Sequence, residues 1–117
     1  MPTTAVTAKS GSLAQSLKST GSDTTIILQS RESWASVSAG VVKIGENTNR
    51  EWVSFTSTSE SSSGGIYTVT LAGCTRGLDK DATSTTDATA SNKKNNGVGQ
   101  PVSLVWHSVN INSFSGS

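Results

Sequence analysis

Two side chains of this sequence belong to types that perform nucleophilic catalysis, the thiol of Cys74 and the imidazole of His107. The sequence holds one residue of each type. A thiol–imidazole pair also needs an orienting group and a preformed anion site, and the spacing of the neighbouring residues indicates neither. We therefore expect Cys74 to pack as a small apolar residue and His107 to end a strand, and we expect no enzymatic activity.

Acidic side chains are the other candidates for metal chemistry. One cysteine and one histidine fall short of the ligand set that zinc requires. Asp79, Asp81 and Asp87 supply the oxygen ligands that suit calcium, but the glycine-bearing spacing of known calcium loops is absent. We interpret these residues as a solvated acidic loop and expect neither a metal nor another cofactor.

Arg76 lies between two glycines, Gly73 and Gly77, after a stretch with strand-like alternation. Because glycine adopts backbone angles closed to other residues, this spacing predicts a corner in a β-structure. A guanidinium binds a carboxylate through two parallel hydrogen bonds, and we expect Glu51 to be that carboxylate, with Asp79 as the local alternative. The other alternative is a plain surface arginine, whose exposed ion pairs contribute little.

Three tryptophans, Trp34, Trp52 and Trp106, offer large aromatic surfaces. Aromatic rings can form stacking platforms for sugars, so receptor binding competes with burial as their role. Trp52 and Trp106 lie in strong strand patterns, where burial is the default, and Trp34, in a connection, is expected to plug one end of a sandwich. Trp52 alternates out of phase with Val53 and Phe55, so its strand is either covered on both sides or contacts another subunit.

The composition is that of one small domain with a thin core. Of the 117 residues, 32% are hydrophobic and 5% aromatic, so we expect an oligomer or a component docked on partners. The net charge of +1 argues against nucleic acid, because phosphate binding needs clustered basic residues and Lys93-Lys94 is the one adjacent pair.

The sequence also bears on the compartment of the chain. A single cysteine excludes an intrachain disulfide. No apolar run has the length of a membrane helix, and the N-terminal residues lack the pattern of a signal peptide. We expect a chain made and folded in the cytoplasm, without membrane insertion.

Apolar alternation predicts five strands joined by polar turns, and no segment requires a helix. We expect an all-β domain over residues 23–112, either a small antiparallel β-sandwich or a partly open β-barrel. An extended arm (1–22) is expected to order against a neighbour, and a long polar loop (80–99) and a flexible tail (113–117) complete the chain. The predicted strands are Thr24–Gln29, Gly40–Gly45, Arg50–Ser57, Ile66–Leu71 and Gln100–His107, with a Ser-rich connection at Thr58–Gly65 and a tight turn at Asn96–Gly97.

The order of these segments resembles a module that is common in bacteriophage tail proteins. Its most specific string is Gly-Cys-Thr-Arg-Gly, which here runs from Gly73 to Gly77 and closes a strand. The resemblance covers about residues 23–108. Its pieces are Thr24–Gln29, Gly40–Gly45, Glu51–Thr56, Leu71–Asp79, Asp81–Ala90 and Gly99–Val105.

The resemblance implies a structural part of the virion, such as a tail-fibre, tail-tip or baseplate protein, often trimeric and without enzymatic activity. Its implied partners are other virion proteins and further copies of the chain. Two alternatives stay open: a host-surface adhesin that binds a glycan or protein receptor through loop 80–99, and a capsid decoration protein. Arg76 with Glu51, the flanking glycines and the three tryptophans are the residues for which we expect structural or interaction roles.

Overall fold

The structure is a computed structural model that describes residues 9–21, 23–78 and 92–109, with the backbone alone for Asn47 and for residues 106–109. Over these residues the regular structure consists of β-strands and one short 3-10 turn, Asn47–Asn49. The strands are β1 Ser10–Leu13, β2 Thr25–Ser30, β3 Val37–Ile44, β4 Glu51–Phe55, β5 Ser57–Ser63, β6 Ile66–Ala72, β7 Thr75–Leu78 and β8 Pro101–Val109. The predicted all-β class is confirmed.

Apolar alternation in the sequence becomes the inner face of the sheet. On β2, Ile26 and Leu28 are fully buried, and they lie opposite Leu71 and Val69 of β6, which are fully buried too. Cross-strand pairs of this kind are the unit of sheet stabilisation. The five predicted strands correspond to β2, β3, β4, β6 and β8, and the predicted hairpin of β3 with β4 is present.

All strand pairs are antiparallel, in the order β5-β6-β2-β1-β8-β3-β4-β7. Thr56 alone separates β4 from β5, although these strands lie at opposite ends of the order. Gly73 and Cys74 likewise separate β6 from β7. The two ends of the sheet are thus joined by one bent hairpin, residues 51–78, and the sheet curls round as in a partly open β-barrel.

The strand β5 corrects the prediction of a Ser-rich connection at 58–65. Every residue from Ser57 to Ser63 pairs with β6, in one unbroken register. Gly64 and Gly65, at φ +60° and +84°, form the two-residue turn at the tip of this hairpin. A serine-rich strand shows no apolar alternation in the sequence. Its backbone nevertheless pairs with the apolar strand β6, because strand pairing uses the N–H and C=O groups that serine shares with other residues.

The N-terminal segment over residues 9–21 joins the sheet, whereas a separate arm had been expected. β1 lies between β2 and β8 and pairs with both. Leu13 and Leu17 are buried in the core, and Leu17 and Asn96 exchange two backbone hydrogen bonds of 2.7 and 2.8 Å. Because both leucines are covered by the chain itself, this segment does not need a neighbour to order it. Residues 1–8 lie outside the described residues, and so do 79–91 and 110–117.

The main core fills the inside of the curled sheet. Trp34 is fully buried there, which confirms its predicted burial, and its backbone N–H donates to Glu60 Oε1 at 2.8 Å. The buried residues of this cluster are Leu13, Leu17, Ile26, Leu28, Trp34, Val37, Val42, Ile44, Val53, Phe55, Val69, Leu71, Cys74, Val102 and Leu104.

A second, smaller apolar cluster lies on the other face of the sheet. Trp52 is half-buried there against Val41 and Leu78. This accounts for the out-of-phase position of Trp52, because its strand carries apolar groups on both faces. The turn predicted at Asn96–Gly97 starts one residue later, with Gln100 N–H donating to the carbonyl of Gly97 at 3.2 Å. Across the part of the chain described, no helix has the length and apolar character needed to cross a membrane.

Candidate functional site: the Arg76–Glu51 network

The buried end of the bent hairpin holds an ion pair between Arg76 on β7 and Glu51 on β4. Arg76 Nε donates to Glu51 Oε2 at 2.9 Å, and Arg76 Nη2 donates to Glu51 Oε1 at 2.8 Å. Both side chains are almost entirely removed from solvent, at 1% and 0% exposure. The two parallel bonds have the bidentate geometry that gives arginine–carboxylate pairs their strength and specificity. Glu51 is thus the carboxylate partner that the sequence predicted for Arg76.

The remaining N–H groups of Arg76 bind three acceptors in two other segments of the chain. Nη1 donates to the carbonyl of Lys18 at 2.8 Å and to Asp23 Oδ1 at 3.3 Å. Nη2 also donates to the carbonyl of Lys94 at 3.1 Å. A guanidinium has five N–H groups, and in this site each of them has an acceptor. Arg76 therefore joins the segments before β2 and after residue 91 to the hairpin.

Glu51 is satisfied in the same way. Besides the two bonds from Arg76, its oxygens accept the N–H of Gly77 at 3.1 Å and the N–H of Lys94 at 2.8 Å. A buried charge is tolerated only when it is paired and its remaining hydrogen-bonding capacity is used. The pair meets that condition, and no polar group of the two side chains is left over for a ligand.

A β-bulge places Arg76 in this position. Ser54 lies opposite Thr75 and Trp52 opposite Leu78, so two residues of β7, Arg76 and Gly77, face a single residue of β4. The extra residue is Gly77, at φ +72°, a backbone angle that suits glycine. Since the bulge shifts the alternation by one, Arg76 bonds to Glu51 on the inner side while Leu78 packs on the outer cluster.

The corner before β7 depends on Gly73. Its φ is +64°, and a Cβ at this position would overlap Oγ1 of Thr56, the residue at the matching corner of the other strand. Both glycines that the sequence predicted to shape the corner therefore have positive φ angles, Gly73 at the bend and Gly77 at the bulge.

The electrostatics of the site hold Arg76 in its charged form. Burial alone would lower the pKa of the guanidinium, but the hydrogen bonds and negative charge of Glu51, with a smaller contribution from Asp23, raise the pKa above its ordinary value. The arginine is therefore a fixed positive charge.

Cys74, the candidate nucleophile, is buried beside the corner, and its Sγ donates to the carbonyl of Leu71 at 3.3 Å. Burial raises the pKa of the thiol to about 11. A thiol of this kind stays protonated near neutral pH, whereas a nucleophilic cysteine requires a depressed pKa. The backbone of His107 pairs with Gly40 on β3, and its side chain is outside the description.

The structure places the other predicted site residues as follows. Trp34 lies in the main core and Trp52 in the outer cluster, so these two rings do not share a surface platform. Trp106 is described by its backbone alone, opposite Val41. Asp79, Asp81 and Asp87 lie outside the described residues. Within the described ranges, no group of three or more His, Cys, Asp or Glu side chains has the arrangement of a metal site.

Sequence reasoning missed the partners that Arg76 finds outside the hairpin. The sequence predicted no role for Asp23, and the charge of this residue was the one available signal. The carbonyls of Lys18 and Lys94 leave no signal in a sequence, because every residue has a carbonyl. The burial of Asn96 was also not predicted. Its side chain lies inside the domain, where Nδ2 donates to the carbonyl of Asn49 at 2.9 Å.

Comparison with known proteins adds no relative. Protein-family models, curated proteins and solved structures were compared with this chain, and none matches it significantly.

Proposed function

We propose that the protein is a structural component of a bacteriophage virion, in the tail, the baseplate or the anchor of a tail fibre, and that it acts through protein–protein contacts. The observation that carries the proposal is that the motif residues make their contacts inside the domain. Arg76, Gly77 and Glu51 bind one another and the backbone of this chain. The most distinctive polar residues of the sequence thus serve to build the domain.

The exposed face of the bent hairpin supports a role in protein contacts. Ser57, Ser59 and Ser61 on β5 are exposed and point away from the core in alternation with half-buried Thr58 and Glu60. This strand presents small hydroxyl side chains, each able to donate and accept hydrogen bonds, along its exposed face. Such a surface suits an extended polar interface with another protein better than it suits a small molecule.

The direct test is to look for the protein in purified phage particles. An affinity tag at the C-terminus and mass spectrometry of particles are expected to show the protein at a fixed copy number per particle. Labelling of intact particles with gold against the tag is expected to mark the tail. Labels spread over the head would favour a capsid decoration protein, and absence from washed particles would overturn the proposal.

A deletion separates the structural role from the adhesin alternative. The deletion has to spare residues 92–96, because the backbone of Lys94 binds Glu51 and Arg76, and Asn96 binds Leu17. Removing residues 82–90 leaves these contacts in the chain. Particles with this deletion are expected to assemble and to adsorb to host cells as the wild type does. Normal assembly with lost adsorption would instead identify a receptor-binding protein.

A further inference from the structure

We propose that Asn96 is a site of spontaneous deamidation that the folded domain protects, and that the reaction permanently marks any copy of the chain that has opened. The inference concerns a chemical modification and does not depend on a role in a virion. Asn96 is followed by Gly97, and the sequence contains no other Asn-Gly pair. Asparagine is a thermolabile residue, and glycine lacks the Cβ that would hinder attack by its backbone nitrogen.

The reaction joins the backbone nitrogen of Gly97 to Cγ of Asn96. Hydroxide removes the proton of the Gly97 N–H, the nitrogen attacks Cγ, and the bond between Cγ and Nδ2 breaks. Nδ2 takes up a proton from water and leaves as ammonia, so that a cyclic succinimide remains. Water then opens the ring at either carbonyl and leaves aspartate or isoaspartate at position 96. Water is the co-reactant, and nothing is oxidised or reduced.

The attacking group is accessible in the folded domain. Gly97 is exposed, and a Cβ added to it would meet no atom within 4 Å. Its carbonyl accepts the N–H of Gln100 at 3.2 Å, whereas its own N–H has no acceptor among the described residues. Within this part of the chain, no hydrogen bond competes for the nitrogen that attacks.

The group under attack, the carboxamide of Asn96, is held inside the domain. The residue is 3% exposed, and Nδ2 donates to the carbonyl of Asn49 at 2.9 Å. Oδ1 packs against Gly45, where an added Cβ would overlap it. The backbone of Asn96 exchanges hydrogen bonds of 2.7 and 2.8 Å with Leu17. Because the carboxamide is closed to solvent and bound to Asn49, the segment around it has to open before the reaction can proceed.

The product does not fit the site that Asn96 occupies. Oδ1 of Asn96 is buried and has no hydrogen-bond partner among the described residues, so these residues offer a carboxylate no donor at this position. In place of Nδ2, a carboxylate oxygen would face the carbonyl of Asn49, and an unpaired buried charge is strongly unfavourable. Isoaspartate also adds a carbon to the main chain between the bridge to Leu17 and the turn that begins at Gly97. A deamidated copy therefore does not regain the full stability of the domain, and the change is irreversible.

The rate of deamidation in the folded and unfolded chain tests the protection. The full-length protein is incubated at mildly alkaline pH, with or without guanidinium chloride, and digested, and mass spectrometry locates each asparagine that has become an acid. We expect Asn96 to react at least about ten-fold faster in the denaturant, because only opened molecules react. Asn95, which is followed by asparagine, is the internal control and is expected to stay intact in both samples over the same time.

Gly97→Ala is the matched variant. The folded domain has space for its Cβ, so the variant is expected to fold as the wild type does and to deamidate more slowly in guanidinium chloride. Equal rates at Asn96 in the folded and unfolded wild type would overturn the proposal. An unfolded wild type in which Asn96 does not react, or reacts no faster than in Gly97→Ala, would overturn it as well.

The stability of the modified chain tests the marking. Wild type that has deamidated in guanidinium chloride is diluted into buffer, and its unfolding constant is compared with that of freshly refolded protein. The constant is expected to rise by at least about five-fold, which is the effect of a buried polar group left without its partner. Asn96→Asp reproduces one of the two products and is expected to show the same rise. Refolding of the deamidated chain to the stability of the unmodified protein would show that opening leaves no mark, and would overturn that part of the proposal.

Discussion

The two ends of the bent hairpin 51–78 are made by the same two chain segments, yet they meet opposite surroundings. At the β4–β7 end Glu51 and Arg76 are buried, and their polar groups are satisfied by four segments of the chain. At the β5–β6 end, five of the seven residues of β5 are serine, and the tip at Gly64-Gly65 is exposed, with no atom near enough to contact an added Cβ. The comparison teaches that backbone pairing is enough to extend the hairpin along β5, whereas the buried ion pair ties the β4–β7 end to the segments before β2 and after residue 91.

The largest expected effect comes from breaking the ion pair at the buried end. Arg76→Met leaves Glu51 buried without its partner, and removal of one member of a buried pair costs about 3–5 kcal/mol of unfolding free energy. Urea unfolding followed by tryptophan fluorescence measures the loss. The control is Arg76→Met combined with Glu51→Leu, which removes both charges and is expected to be more stable than Arg76→Met alone. If Arg76→Met is as stable as the wild type, the ion pair does not stabilise this end of the hairpin.

A matched pair of glycine substitutions compares the corner with the tip. Gly73 and Gly64 have nearly the same φ, +64° and +60°, so alanine at either position pays the same left-handed strain of about 1–2 kcal/mol. Gly73→Ala also brings a Cβ into Thr56, whereas Gly64→Ala meets open space. We expect Gly73→Ala to be the more destabilised variant, by about 1–3 kcal/mol from overpacking.

Thermal unfolding of the two variants gives this difference. Adding Thr56→Ala to Gly73→Ala removes the overlapping hydroxyl and is expected to restore part of the loss. If Gly64→Ala lowers the stability as much as Gly73→Ala does, the contact with Thr56 adds nothing, and the left-handed backbone angle alone accounts for the loss at Gly73.

The extent to which the sequence predicted this structure differs between the same two ends. Strands with buried apolar positions, such as β2 and β6, were predicted because alternation reports burial. The strand β5 was missed, since serine shows no such period and its pairing is a backbone property. The pair of Arg76 with Glu51 was predicted from complementary side chains, but the contacts of Arg76 to the carbonyls of Lys18 and Lys94 depend on the tertiary fold alone.

The thiol at the corner gives a pH-dependent prediction. Burial raises the pKa of Cys74 from 9.0 to about 11, so the folded state holds the thiol proton more tightly than the unfolded state does. The stabilisation by this group is therefore complete below pH 9.0 and is lost as the pH rises towards 11. The loss amounts to at most about 2.7 kcal/mol for a shift of about two pKa units.

Unfolding free energies at several alkaline pH values test this prediction for Cys74. Other groups titrate in the same range, so the wild type is compared with Cys74→Ser at each pH. The unfolding free energy of the wild type relative to that of Cys74→Ser is expected to fall as the pH rises. A constant difference would mean that the corner exposes the thiol to solvent.

The smallest expected effect is at the exposed end, and it is measured against the same change at the buried end. Ser61 on β5 is exposed and lies opposite Thr68, so Ser61→Lys places its charge in water and is expected to change the unfolding free energy by no more than about 0.5 kcal/mol. Ser54, on the β4 part of the same bent strand, is 5% exposed. Ser54→Lys has to desolvate an ammonium group or displace its neighbours, and is expected to cost about 1–3 kcal/mol. Urea unfolding of both variants tests whether the same substitution costs more unfolding free energy at the buried end than at the exposed end. A large loss of unfolding free energy from Ser61→Lys would mean that β5 is covered, either by a second copy or by another part of the chain. Repeating the measurement at several protein concentrations distinguishes these two cases, because only a second copy makes the loss concentration-dependent.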